Sequence, residues 1–298
     1  MGTAAGGGFP QWNCWCACCR TARSNPHLAR PRLQSSVAVS ADGHHWFLLN
    51  ASPDVRDQLA RLPVVPEPAA VRHVPIEGVL LTDAEVDHSF GLILLREGQR
   101  LPLYTTAATC AVLNDRSRFL PVARAFADVP WTELPLEETI QLSLRTGAAS
   151  GLSVEAFLVP AGPPRFAPDA APGHTVGLVV HDTTKGSALA YAPACGELVP
   201  SVLDHLGGVD AVLFDGTFWT DDEPRQVGIS TRTAREMDHV PISGDGGSLQ
   251  VLSRLTGRHR VYTHINNTNP ILLEQSPEHA AVVAAGLTIG QDGMCIEV

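Results

Sequence analysis

The strongest constraint in this sequence is a repeated pairing of an apolar, β-branched run with an acid or a histidine at its end. "GVLLT" (78–82) runs into Asp83, Glu85, Asp87 and His88. "AVLFD" ends on Asp215, "VYTH" ends on His264, and "HTVGLVV" opens on His174. Asp54 follows another such run, "WFLLNAS" (46–52), and "SSVAVS" (35–40) and "SALAYAP" (187–193) complete the set. Runs of this composition, closed by polar turn residues, predict strands. Helix-like segments lie between them at 52–62, 88–98, 197–208, 233–240, 247–255 and 276–286. Ser52-Pro53 and Ser276-Pro277 each place a capping Ser before a Pro at the first helical position. Pro/Gly/Ala-rich stretches at 63–70 and 159–173 read as loops. Strands mixed with helices along the whole length imply a layered α/β domain. In an open α/β sheet, ligands gather at the carboxyl ends of strands. Acids and imidazoles from four separate loops are therefore expected to converge on one metal or a pair. A single Asp after a strand is commonly a turn or cap residue, and Glu85 alone reads as a solvated charge. The joint order of Asp-His, strand-end Asp and strand-end His is what points to a site.

Charge narrows the partners. Over 298 residues the formal net charge is −10, which disfavours nucleic acid or an anionic membrane surface, since both demand clustered cations. Lys185 is the one lysine, so positive charge is nearly all Arg, the side chain suited to planar carboxylates. No apolar run approaches the ~18 residues of a membrane span, and "MGTAAGGGFPQ" has neither a basic region nor an apolar signal core, so a cytoplasmic protein is expected. Cys14, Cys16, Cys18 and Cys19 crowd into "NCWCACC". In a reducing compartment Cys14, Cys16 and Cys19, spaced Cys-x-Cys-x2-Cys, read as a structural Zn2+ loop over 13–20. Cys110, Cys195 and Cys295 read as isolated small apolar residues. The glycine loop "TAAGGG" lacks the Lys-Ser/Thr of a phosphate-binding loop, so it reads as a tight turn or a close backbone approach. His239, in "REMDHVP", reads by itself as a surface or half-buried histidine. The three Asn of "HINNTNP" imply a loop tied by side-chain-to-backbone hydrogen bonds.

Taken together, "GTAAGGGFPQWNCWC", "NASPDVR" (50–56), "DHSFGLILLREG" (87–98), "LFDGTFWTDDE" (213–223), "GISTRTAREMDHVPISG" (228–244) and "THINNTNPIL" (263–272) resemble the coenzyme PQQ synthesis protein B family of the metallo-β-lactamase superfamily. They span nearly the whole chain in order. The resemblance implies an α/β fold, the metallo-β-lactamase-like αββα sandwich, as a single domain over 1–298 with the Cys-rich zinc loop 13–20. It implies a role in pyrroloquinoline quinone (PQQ) biosynthesis, a cofactor built from a Glu and a Tyr of a small peptide. It places the superfamily His-x-His-x-Asp-His motif on Asp83, Glu85, Asp87 and His88, the bridging Asp on Asp215 and the last metal His on His264. It matches His239 to a helix-borne proton donor and Asp54 to an early supporting Asp. It also implies that the cysteine zinc is shared with phosphodiesterase relatives.

Three positions depart from that pattern. Ala171 stands where a superfamily His ligand is expected, three residues before His174. Asn267 stands where phosphodiesterase relatives supply the fourth ligand of the cysteine zinc, leaving Cys18 or a water for that place. The family's short first strand has no counterpart before "GTAAGGG", so the fold is expected without it, through a misassigned start codon. With Asp83 and Glu85 in place of two histidines, a matched two-zinc hydrolase is disfavoured. Two His and a carboxylate with open positions suit non-haem Fe(II). The reading is thus one Fe2+ (or another divalent metal) on His88, His264 and Asp87 and/or Asp215. Asp83 and Glu85 orient ligands or move protons, and His239 serves as general acid/base. Arg232 and Arg235 clamp the carboxylates of a small-molecule or peptide-derived PQQ precursor. The reaction expected is hydroxylation of the tyrosine-derived ring. A carrier of PQQ or its precursor with a vestigial metal site, and a metal-dependent hydrolase, are the alternatives. Other PQQ-pathway proteins and a homodimer complete the expected partners.

Overall fold

A computed structural model describes residues 1–63, 71, 73–97 and 100–298. The loop expected at 63–70 and the end of the helix expected at 88–98 therefore lie mostly or partly outside the described residues. The chain divides into two compact units. The first comprises Met1, Ser36–Leu158 and Pro163–Ser187; the second comprises Gly2–Ser35, Val159–Gly162 and Ala188–Val298.

The first unit holds a sheet of β1 (Val37–Val39), β2 (Trp46–Leu49), β3 (Ile76–Leu80), β4 (Leu103–Thr105) and β5 (Trp131–Glu133), in that order. β1 and β2 are antiparallel and the remaining neighbours are parallel. Parallel strands covered on both faces read as continuous apolar runs, and β3 fits, with Gly78, Val79 and Leu80 all buried. Its core gathers Leu48, Val79, Leu81, Leu103, Leu113 and Leu120, each at 0% exposure. At about 2 kcal/mol per buried side chain, that cluster is a main source of this unit's stability. β6 (Thr139–Ser143), β7 (Ala149–Leu158) and β8 (Val176–Asp182) add an antiparallel meander.

The second unit holds four parallel strands: β9 (Ala188–Ala192), β10 (Ala211–Asp215), β11 (His259–Thr263) and β12 (Thr288–Ile289). β10 is buried at every position, so its terminal carboxylate, Asp215, is carried into the interior by the hydrophobic run before it. The start of the glycine loop carries isolated bridges, Ala4 pairing with both Gln34 and Ile265. Ile265 N–H donates to Thr3 O and Ala5 N–H donates to Ile265 O, each at 2.9 Å. The arm thus lies against the residue that follows His264.

Every run read as a strand forms one, and among the described residues five further strands appear (β4, β5, β6, β7 and β12). β6 is mostly exposed and β7 is interrupted by Ser150 and Gly151, so neither shows the apolar run that identifies a buried strand. Two helix expectations need correction. The helix after β2 begins at Val55, because the Ser52 hydroxyl accepts from Asp54 N–H (3.2 Å) and donates to Gln58 (3.0 Å) instead of capping a helix at Pro53. The segment 233–240 forms only a 3-10 turn, Arg235–Met237, ended by Asp238 at φ 65°. The Ser276 cap does form, accepting from His279 N–H at 3.0 Å, and 159–173 is free of helix and strand.

Candidate metal centre

In the first unit the site residues cluster on the acid loop after β3. Thr82 N–H donates to Asn50 Oδ1 (3.0 Å) and Asn50 Nδ2 donates to the Thr82 hydroxyl (2.9 Å). That pair fixes the chain just before Asp83. The Asp83 carboxylate is fully engaged: Oδ1 accepts from Glu85 N–H (2.9 Å), and Oδ2 accepts from the Thr82 hydroxyl and from His88 Nδ1 (both 2.7 Å). With Nδ1 protonated, His88 carries its lone pair on Nε2, the arrangement of a metal-binding imidazole held by a carboxylate. Asp87 Oδ2 lies 3.9 Å from that Nε2. Gly91 makes the loop possible, since a Cβ there would stand 2.5 Å from the carbonyl oxygens of Ala51 and Ser52. Asp54 stands at the start of the neighbouring helix Val55–Leu59.

Electrostatics follow from this crowding. Burial works to raise the Asp83 pKa, but the charge and hydrogen bond of His88 hold it below the usual carboxylate range. Burial works against the His88 charge, yet Asp83 and Asp87 push the imidazole up to about 9. Glu85 is pushed up to about 7 by burial and by the charges of Asp83 and Asp87, with Arg165 opposing. The backbone beside His174 runs along this loop, Thr175 bridging Asp83 and Val176 N–H donating to Thr82 O at 2.9 Å. The His174 ring itself lies 3.0 Å from the Thr175 hydroxyl, and among the described residues His174 joins no cluster with metal-ligand spacing. Ala171 lies in the coil before it.

In the second unit, Asp215, His239 and His264 offer ligand atoms within 4.8 Å of one another. Asp215 is 0% exposed and each oxygen accepts twice. Oδ1 takes Thr217 N–H (3.0 Å) and the Thr217 hydroxyl (2.6 Å); Oδ2 takes Cys195 N–H (3.0 Å) and His239 Nδ1 (2.7 Å). Thr217 is the hinge of the arrangement. Its hydroxyl oxygen lies 2.9 Å from His264 Nδ1, so a chain of donors running from His264 through Thr217 to Asp215 leaves the His264 lone pair on Nε2. His264 adopts φ 53°, a left-handed conformation uncommon for a non-glycine residue and held by its surroundings. The His239 and His264 rings stack at 5.5 Å and 26°, and Phe218 meets His239 edge-on at 6.0 Å. Burial works to raise the Asp215 pKa, while the His239 charge outweighs it and keeps the carboxylate ionised.

The cysteine loop is a separate cluster of the second unit. Cys14, Cys16 and Cys19 bring their sulfurs within 4.8 Å of one another. Cys16 also caps the helix Ala17–Ser24, its sulfur accepting from Cys19 N–H at 3.4 Å. Hydrogen bonding by the neighbouring Cys18 thiol, aided by Cys19 N–H, outweighs burial and pulls Cys16 down to about 5. Cys18 is buried and points its own thiol at the carbonyls of Thr268 (3.5 Å) and Asn269 (3.6 Å), outside the three-sulfur group. Asn267 Nδ2 donates to Cys19 Sγ at 3.3 Å and Cys16 Sγ lies 3.4 Å from Asn267 O. Arg23 clasps the loop, donating to Cys14 O and Gln11 O while lying 4.5 Å from the Trp15 ring. This donor set of three adjacent sulfurs suits a tetrahedral Zn2+.

Arg232 and Arg235 are both exposed. The Arg235 guanidinium donates to the carbonyls of Asp245 (3.0 Å) and Gly246 (3.3 Å), so it is committed to its own loop. Thr217, Glu223 and the Cys195 amide went unnoticed in the sequence. A Thr two residues past a strand-end Asp is the available signal for the first; nothing local marks the other two.

A model described as the Beta-lactamase superfamily domain matches residues 45–265. Coenzyme PQQ synthesis protein B of Methylobacterium radiotolerans is 42% identical over 304 residues, covering 100% of this chain and 98% of that protein. The chain belongs to the coenzyme PQQ synthesis protein B family. A crystal structure of Zn(2+)-bound PqqB from Methylobacterium extorquens is similar at a TM-score of 0.89 and 40% identity, covering 100% and 98% of the two chains. A diphosphatase from the PhnP family shares the fold at a TM-score of 0.66 and 22% identity, covering 100% and 95%. The fold is therefore the metallo-β-lactamase fold, mixed α/β with two sheets, as the resemblance implied. Membership of this superfamily points to metal-dependent enzymatic activity. No helix among the described residues is long and apolar enough to cross a membrane.

Proposed function

We propose that this chain acts in PQQ biosynthesis as an Fe(II)-dependent oxygenase that hydroxylates the tyrosine-derived ring of a Glu-Tyr precursor. The pathway rests on full-length likeness to coenzyme PQQ synthesis protein B. The chemistry rests on one observation, the use of Asp83 as the hydrogen-bond partner of His88 Nδ1. Both Asp83 oxygens are taken by hydrogen bonds, so this residue orients an imidazole where a two-zinc hydrolase would place a metal ligand. The donors remaining are His88 and His264 with Asp87, two imidazoles and carboxylate oxygen, a set that fits Fe(II); Asp215, whose oxygens each accept two hydrogen bonds, joins them only by giving one up. We assign them to one cation within a domain over 1–298, by their match to superfamily positions. When bound, iron would supply the redox chemistry by which one oxygen atom of O2 enters an electron-rich phenol ring, the other leaving as water with two electrons from an external reductant.

The protein's own groups do the remaining work. Asp83 and Thr217 fix the two ligand imidazoles in one tautomer. His239, held at Nδ1 by Asp215, takes or returns a proton at Nε2 near the substrate. Glu85, with its pKa near neutrality, is suited to relay a proton on the acid-loop side. Arg232 is the clamp for a precursor carboxylate, with Arg235 shaping its loop. Zinc in the cysteine loop serves structure, and partners are the precursor, other pathway proteins and a second copy of the chain.

The test is O2 uptake by anaerobically purified protein given Fe(II), a two-electron reductant such as ascorbate and a Glu-Tyr-derived precursor. Uptake coupled to one added oxygen per ring is expected. Turnover with zinc under strict anaerobiosis, or binding of the precursor unaffected by a chelator with no turnover, contradicts the proposal.

A further inference from the structure

Glu223 is a carboxylate that neither the sequence pattern nor the proposed chemistry uses, and it is only 5% exposed. One oxygen accepts from Trp219 N–H and the other from the Thr268 hydroxyl, both at 2.6 Å. Those two contacts join different segments. Trp219 lies two residues beyond Thr217, on the loop that carries Asp215. Thr268 lies in "HINNTNP", four residues beyond His264.

The same short segment is bonded on its other side to the cysteine loop. Asn267 touches the sulfurs of Cys16 and Cys19, and Cys18 donates to the carbonyls of Thr268 and Asn269. Toward β10, Asn266 N–H donates to Thr217 O (3.1 Å) and Asn269 Nδ2 donates to Gly216 O (2.9 Å). Asn266 Nδ2 completes the knot by donating to the Thr268 hydroxyl at 2.6 Å. Residues 266–269 are thus gripped between the cysteine sulfurs and the Asp215–Trp219 loop. His264, in its left-handed backbone conformation, has little freedom to move apart from them.

We propose that Glu223 is a positioning residue that, through Thr268, couples the state of the cysteine loop to the placement of His264 and Asp215. The inference deepens the reading of His264 and Asp215 as metal ligands and rests on it for its functional meaning. Zinc on Cys14, Cys16 and Cys19 fixes the sulfurs against which Asn267 packs. Glu223 carries that order across to Trp219 and so to Thr217, the residue that fixes the tautomer of His264. Loss of zinc, or oxidation of the loop, loosens the second site without touching its ligands. A buried acid with its pKa raised to about 7 by burial is costly to keep, which is consistent with a task beyond packing.

The test uses the full chain with zinc on the cysteine loop, compared with the same chain stripped of it. Hydrogen exchange of the peptide spanning 263–269, read by mass spectrometry, reports the segment directly and needs no second metal. In Glu223→Ala and in Thr268→Val, exchange is expected to rise about tenfold, to the level of the zinc-free unmutated chain. Glu223→Gln, whose amide can accept from Trp219 and donate to Thr268, is expected to restore exchange to within about threefold. Co(II) affinity away from the thiolates should fall about tenfold or more in the Ala and Val variants, with zinc content unchanged. Exchange unchanged in Glu223→Ala and Thr268→Val, or Glu223→Gln as fast as Glu223→Ala, overturns the coupling. If Glu223→Ala fails to fold, Thr268→Val decides. An unmutated chain that binds no Co(II) beyond its thiolates would instead sink the metal reading, with the exchange data still deciding the brace.

Discussion

In the acid loop, His88 gives its Nδ1 to a carboxylate, Asp83; at the end of β11, His264 gives its Nδ1 to a hydroxyl, Thr217. In both, Nε2 is the nitrogen left to face a cation. Their surroundings differ. His88 sits among Asp83, Glu85 and Asp87 and is pushed up to about 9. His264 is linked to the Asp215 carboxylate through the Thr217 oxygen, and that carboxylate is shared with His239. A carboxylate partner makes a more basic ligand. The same geometric task, fixing a tautomer, is solved twice with different consequences for protons.

The largest effect should come from the ligands themselves. His88→Ala and His264→Ala are each expected to lower cation-dependent turnover by more than the roughly 100-fold that loss of an outer hydrogen-bond partner costs. A variant that keeps within tenfold of full activity would remove its half from the comparison.

The next effect separates the two partners. Asp83→Asn should weaken cation binding by about 10–100-fold and Thr217→Val by about tenfold. Their pH dependence sharpens the contrast. A ligating His must be unprotonated, so binding to the unmutated chain should strengthen as pH rises toward about 9, where His88 loses its proton. In Asp83→Asn that rise should complete at lower pH, because Asp87 and Glu85 alone then favour the His88 charge against burial, while Thr217→Val leaves it in place. Identical pH profiles for both variants would erase the distinction.

A smaller effect concerns stability around Glu223. Its folded pKa is raised from 4.5 to about 7, so the folded state holds this proton more tightly than the unfolded chain does. The resulting stabilisation is present below about pH 4.5 and is lost as pH rises through about 7, a change on the order of 3 kcal/mol. Glu223→Gln should flatten that part of a denaturation-versus-pH curve; an unaltered slope would contradict the shift. Smallest are the exposed arginines. Arg232→Ala should raise KM for the precursor by up to about tenfold with kcat unchanged, and Arg235→Ala should do less, since its guanidinium serves its own loop.

Much of this was legible from residue order. The runs before Asp83, Asp215 and His264 identified themselves as strands because they are buried on both faces, and the acids and imidazoles at their ends carried the resemblance to the family. β6 was not legible because it is mostly exposed, and β7 because Ser150, Gly151, Ser153 and Glu155 break up its apolar residues. The helix expected around His239 was illegible for another reason. Arg235–Met237 is closed by Asp238 in a left-handed conformation, and His239 is placed by its bond to Asp215 rather than by helical periodicity. Thr217 and Glu223 act through hydrogen bonds between segments distant in sequence, and no local pattern encodes such partners.

We propose, from their superfamily positions, that His88 and His264 serve one cation distinct from the cysteine zinc. Metal content should be counted per chain in protein purified without oxygen, for the unmutated chain and for His88→Ala and His264→Ala. One zinc plus one iron, with the iron lost entirely in either single variant, is the predicted result. Iron retained by either variant, or lost by one and not the other, would contradict it.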